Sequence, residues 1–131
     1  MGDQAAFERW LKGFQNAFES NDAERLRPLF ASQAVMYASP FDAPVDGGDN
    51  IVQFFANKWS RLNRTSIEFQ PITSGWARVL EGGSIEALDE PTRSDSVFRA
   101  DLNDAGVCIS LTFWTERMSV READMLAQRD S

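Results

Sequence analysis

Phe7, Trp10, Leu11, Phe14, Ala17 and Phe18 recur at helical spacing, which predicts an amphipathic helix over about residues 4–20 with Asp3 as its cap. Its apolar face carries three phenylalanines and a tryptophan. Asn21-Asp22 interrupts the pattern, and Asp22 is placed to cap a second, shorter helix through Leu26, Leu29 and Phe30 that Pro28 bends or ends. A short strand is predicted at Ala34–Ala38, followed by a turn-rich run from Ser39 to Gly48. Asp49 or Asn50 then caps a third helix, on which Ile51, Phe54, Phe55 and Trp59 share one face.

From Thr65 onward the period becomes two. Strands are predicted at about 66–80, 84–90, 94–102 and 107–116, with hairpin turns at Glu81-Gly82-Gly83, Glu90-Pro91-Thr92-Arg93 and Asn103-Asp104-Ala105-Gly106. Pro71 and Ser74-Gly75 predict a bulge or bend within the first of them. Ser119-Val120-Arg121-Glu122 has capping-box spacing, so a polar helical turn is expected from about residue 119. Helix, helix, strand, helix and four antiparallel strands make one α+β domain over residues 1–131, a strongly curved sheet wrapped over three N-terminal helices. Such a sheet leaves a cone in which an apolar ligand could sit. In the last strand Cys108, Ser110, Thr112, Trp114 and Glu116 alternate with Val107, Ile109, Leu111, Phe113 and Thr115. If the first set lines the cone, the second leaves an apolar stripe outside, which predicts a homodimer through the sheet.

Charge and composition narrow the chemistry. The chain has 131 residues and a net charge of −7, and its scattered basic residues form no stripe that could follow a phosphate backbone, so nucleic acid is not an expected partner. No run approaches the ~20 apolar residues of a membrane span, and no signal-like segment opens the chain, so a cytoplasmic protein is expected. There is no histidine. That excludes Ser-His-Asp and Cys-His relays and most zinc and non-haem iron sites, so neither metal nor cofactor is expected. The one cysteine, Cys108, lies in an apolar run and reads as a small buried hydrophobe rather than a reactive thiolate.

The element order, the stretch Phe30-Ala31-Ser32-Gln33-Ala34-Val35 leading to Ser39-Pro40-Phe41, and the closing Leu111-Thr112-Phe113-Trp114-Thr115-Glu116 resemble the nuclear transport factor 2-like superfamily over about residues 5–122. Within it the likeness is to ketosteroid isomerases and SnoaL-like polyketide cyclases. The resemblance implies a cone with a pocket, but the isomerase residues are replaced. Ser39 stands before Pro40 in place of the catalytic aspartate, Phe14 in place of the oxyanion tyrosine, and Phe98 in place of the second oxyanion donor, or Ser96 or Asp95 if the alignment shifts. Trp114 matches a ligand-packing tryptophan. Arg99-Ala100-Asp101 has the look of the motif of limonene-type epoxide hydrolases but sits elsewhere, and it reads as an exposed strand ion pair.

The remaining candidates are Asp42 as general base or acid, with Tyr37 and Ser39 as hydrogen-bond donors. Phe14, Phe18, Phe55, Trp59, Trp76, Phe98 and Trp114 are the expected walls, and Glu68 or Glu86 would be functional carboxylates if they face inward. Two functions stay open. One is a cofactor-independent isomerase, cyclase or hydrolase acting on a small hydrophobic cyclic or polyketide-like substrate; the other is a non-catalytic module for small-molecule binding or dimerisation.

Overall fold

A computed structural model describes residues 3–85 and 91–119. Helix α1 spans Asp3–Ser20, so Asp3 is its first helical residue rather than its cap, and its aromatic stripe is buried as the spacing predicts. A 3-10 helix follows at Ala23–Leu29, where the Asp22 carboxylate accepts a hydrogen bond from the Glu24 amide at 3.2 Å. Strand β1 runs Phe30–Tyr37, starting earlier than predicted, and β2 is the two-residue Val45–Asp46. Helix α2 spans Gly48–Ser60. Neither Asp49 nor Asn50 caps it: the cap is Gly47 at φ 97°, a left-handed position suited to glycine, and the Asn50 amide donates back to the Asp46 carbonyl.

The other strands are β3 (Leu62–Thr73), β4 (Trp76–Ile85), β5 (Thr92–Leu102) and β6 (Cys108–Ser119). They form one six-stranded sheet in the order β2-β1-β6-β5-β4-β3. All neighbours are antiparallel except β1 and β6, which run parallel, a pairing the hairpin reading did not foresee. Two turn assignments are corrected. The chain reverses at Ser74-Gly75, where Gly75 takes φ 84°, and the predicted strand at about 66–80 is really two strands.

Glu81-Gly82-Gly83 is not a turn but part of β4. The glycines there serve a close approach: a Cβ on Gly83 would lie 2.5 Å from the Asn63 carbonyl oxygen of β3. The predicted turn at Asn103–Gly106 is present. The polar helical turn expected after Ser119, and Glu86, lie outside the described residues.

Register decides which residues the sheet turns toward α1 and α2. Along β5 the inner positions are Ser94, Ser96, Phe98 and Ala100, and opposite them on β6 stand Arg117, Thr115, Phe113 and Leu111. Ile109 has no partner in β5, a bulge that adds one residue and reverses the alternation, so Cys108 and Leu111 are both buried while Ile109 is 44% exposed. Trp114 therefore points out of the cone and is 43% exposed, contrary to the set expected to line it.

Candidate functional site

The narrow end of the concave side is filled. Phe14, at 0% exposure, lies 4.8 Å ring to ring from Phe18, 6.1 Å from Phe55 and 5.4 Å from Phe98, and Phe98 lies 5.3 Å from Phe113. Phe18 in turn meets Trp59 at 4.7 Å. Edge-on and tilted pairs of this kind add to the burial of large apolar area and leave no polar atom at the centre. Five expected wall residues, Phe14, Phe18, Phe55, Trp59 and Phe98, are thus brought together, packed against one another. The other two are elsewhere: Trp76 and Trp114 stack at 5.6 Å on the outer face of the sheet, with the Arg99 guanidinium 5.8 Å over Trp76.

The expected acid, base and donors are not gathered at this end. In β1, Ala34 and Met36 are fully buried, so alternation sets Tyr37 on the opposite, outer face, paired with Thr112 of β6. Ser39 is half-buried, and its hydroxyl accepts a hydrogen bond from the Phe41 amide in the loop. Asp42 and Glu68 are exposed. Ser96, 6% exposed, shares a 2.8 Å hydrogen bond with the Thr115 hydroxyl. Asp95 faces outward, held by the Arg78 guanidinium, which keeps its carboxyl below the ordinary range. Arg99 and Asp101 form the exposed ion pair that the sequence suggests, at 3.2 Å. Burial pushes the Cys108 thiol up to about 12, so it is no nucleophile at neutral pH.

Sequence reasoning missed a cavity of about 210 Å³ between the end of α2 and the strands; a larger one, of about 520 Å³, lies at the other end of the strands against Phe7, Arg9, Ala100 and Asp101. Helix α2 contributes Lys58, and Arg61 and Leu62 follow it. Strand β4 contributes Glu81, Gly82 and Gly83, β5 contributes Thr92 and Ser94, and β6 contributes Arg117. Between this mouth and the aromatic apex sits Arg64. Its guanidinium lies 5.5 Å over Phe18 and 5.4 Å over Trp59, while Nε donates to Glu81 at 2.7 Å and Nη1 to the Phe18 carbonyl at 2.6 Å. The Arg64–Glu81 pair is 10% and 9% exposed. Arg64 Nη2 and Trp59 Nε1 are buried without a hydrogen-bond partner among the described residues.

Burial pushes the Lys58 ammonium below its ordinary pKa; Glu81 opposes this, and Arg117 and Arg64 add to it. One signal in the sequence could have found the mouth. The inner positions of the strands grade from apolar to polar in a consistent direction, but reading them requires a register that the pattern alone does not fix.

No protein-family model matches the sequence, and no curated protein matches it either. Solved structures do. A steroid delta-isomerase from Pseudomonas aeruginosa is 10% identical over 86% of this chain and 80% of its own, with a TM-score of 0.66. A nuclear transport factor 2-like protein from Burkholderia xenovorans is 14% identical over 86% of this chain and 91% of its own, at 0.62. A Mycobacterium tuberculosis protein in complex with estradiol-17beta-hemisuccinate is 14% identical over 83% of this chain and 92% of its own, at 0.65. The fold is the nuclear transport factor 2-like cone, the architecture of the ketosteroid isomerases. At these identities the likeness extends to the fold and not to an activity.

Proposed function

We propose that this chain is a small-molecule-binding protein whose ligand occupies the basic mouth of the cone, and that it does not carry out isomerase chemistry at the apex. The observation that carries this reading is the Phe14–Phe98 contact. Both rings are at 0% exposure and 5.4 Å apart, and the ungapped match to the isomerases would set oxyanion donors at these two positions. Moving a proton from carbon needs a base and donors beside the developing enolate, and a packed pair of phenyl rings supplies neither. The mouth, at about 210 Å³, falls below the ~300 Å³ at which drug-sized pockets begin. Its occupant is therefore smaller than the estradiol-17beta-hemisuccinate of the Mycobacterium neighbour.

The test is a pair of assays on the purified protein. Titration with small cyclic compounds, followed by amide NMR, should move the signals of Gly82, Gly83 and Ser94 and leave Ala34 and Met36 in place. Incubation with a steroid delta-isomerase substrate should give no product above the buffer blank. Turnover that disappears in Asp42→Asn would overturn the binding reading in favour of a catalytic one, with Asp42 as base or acid and Tyr37 and Ser39 as donors.

We propose also that two copies pair through the outer face of the sheet. Support comes from the Trp76–Trp114 stack, exposed at Trp114 and lying in the register beside Val97. Sedimentation at micromolar concentration should give a dimer that Trp114→Glu converts to a monomer; a wild-type monomer rejects the pairing.

A further inference from the structure

The mouth has a charge that sets it apart from the rest of this chain. Its described lining holds Lys58, Arg61 and Arg117 against one carboxylate, Glu81, in a protein of net charge −7. Glu81 is already engaged by Arg64 at 2.7 Å in a pair almost closed to water. No other ion pair among the described residues involves Lys58, Arg61 or Arg117. Burying an ammonium is unfavourable by itself, and burial is what chiefly lowers the Lys58 pKa; Glu81 opposes the shift, and Arg117 and Arg64 add smaller amounts to it. An arrangement that works against stability in an otherwise apolar-cored fold is the kind of local conflict that marks a ligand site. The same cavity holds the Thr92 and Ser94 side chains as further polar groups, and its apolar surface comes from Leu62 and the bare backbone of Gly82-Gly83.

Resting on the reading that the mouth is the ligand site, we propose that its ligand is a compact organic anion. Its charged head is held between Lys58 and Arg117 with the Ser94 hydroxyl as a further donor, and its small apolar body lies against Leu62 and the glycine backbone. Guanidinium and ammonium groups bind an anionic head through charge-assisted hydrogen bonds, which are worth more than neutral ones. A neutral molecule of the same shape would leave the partly buried Lys58 ammonium unmatched.

The experiment uses benzoate and its neutral isostere benzamide as probes, titrated into the wild-type protein with amide NMR as readout. Benzoate should shift Gly82, Gly83 and Ser94 and bind at least about tenfold more tightly than benzamide. Lys58→Met and Arg117→Gln should each weaken benzoate by a similar factor while leaving benzamide unchanged, with thermal melts confirming that both variants fold. Because an anion beside Lys58 favours the charged amine, binding above neutral pH should also take up protons in wild type and not in Lys58→Met, read by calorimetry in buffers of different ionisation enthalpy. Equal affinity for the two probes at the mouth overturns the anion and leaves the pocket standing. Shifts confined to other parts of the molecule, or none with either probe, remove the mouth as the ligand site altogether.

Discussion

The apex and the mouth of the cone are built from the same strands and have opposite chemistry. Following inner positions from mouth to apex, β4 reads Gly83, Glu81, Val79, Ala77; β5 reads Ser94, Ser96, Phe98, Ala100; β6 reads Arg117, Thr115, Phe113, Leu111. At one end every inner side chain is apolar, and all but the half-buried Phe113 are closed to water. At the other, charge and hydroxyl surround an open space, and Arg64 forms the plate between them, its guanidinium face on Phe18 and Trp59 and its edge on Glu81. The contrast teaches that the concave side is divided: one stretch of the strands packs aromatic rings against the helices, and the next sets polar and charged groups around a cavity.

The strongest way to break this comparison is to empty the apex. Phe98→Ala, at 0% exposure, should cost about 3–5 kcal/mol of unfolding free energy by chemical denaturation; a loss below about 1 kcal/mol would mean that the apex is a loose cavity and not a packed core. Next in size is the plate. Glu81→Gln leaves the buried Arg64 charge without its counter-ion and should cost about 3 kcal/mol, whereas the double variant Glu81→Leu with Arg64→Leu should cost less than either single change. If the double change costs the sum of the two, the pair is not coupled.

A smaller effect is sought in the pH dependence. The Lys58 pKa is lowered in the fold, so the unfolded chain binds the proton more tightly between that lowered value and lysine's ordinary 10.5, and stability from this group rises as pH rises through that window. Cys108 acts in the opposite sense. Its thiol ionises near 9.0 when unfolded and about 12 when folded, so its contribution falls as pH rises above about 9. The difference in stability between wild type and Lys58→Met, measured from pH 7 to 10.5, isolates the first slope; equal slopes would show that Lys58 feels no desolvation. The smallest effect belongs to the loop. Asp42→Asn, at an exposed position, should change stability by no more than about 0.5 kcal/mol.

Helical parts of the fold were legible because their signal is local. The stripe from Phe7 to Phe18 is buried as predicted, and of Ile51, Phe54, Phe55 and Trp59 all are buried but Phe54, which is half-buried. The strands were harder, since a period of two carries no information on register, and a single added residue at Ile109 exchanges the two faces. That is why Trp114 was expected inside and is outside. Glycine misled for a related reason: Gly82-Gly83 reads as a turn, yet it permits close contact between β3 and β4, while the true reversal is at Gly75. The rings at the centre could be named from the sequence, because Phe14, Phe18, Phe55, Trp59 and Phe98 were expected on the inner face and are buried there. The mouth could not, because Lys58, Glu81, Ser94 and Arg117 are spread over four elements and meet only once the register is known.

The parallel pairing of β1 with β6 has a consequence for how the protein is made. Its partners run from Phe30 with Cys108 to Tyr37 with Thr112, and the apex rings come from Phe14 and Phe18 early in the chain and Phe98 and Phe113 late. At ordinary translation rates the stretch between Phe18 and Phe113 takes roughly 5–20 s to synthesise. During that interval the aromatic face of α1 exists without the strands that cover it. A nascent chain arrested before β6 would therefore leave that aromatic face uncovered, and the arrival of β6, more than formation of any helix, would set the moment at which it is buried.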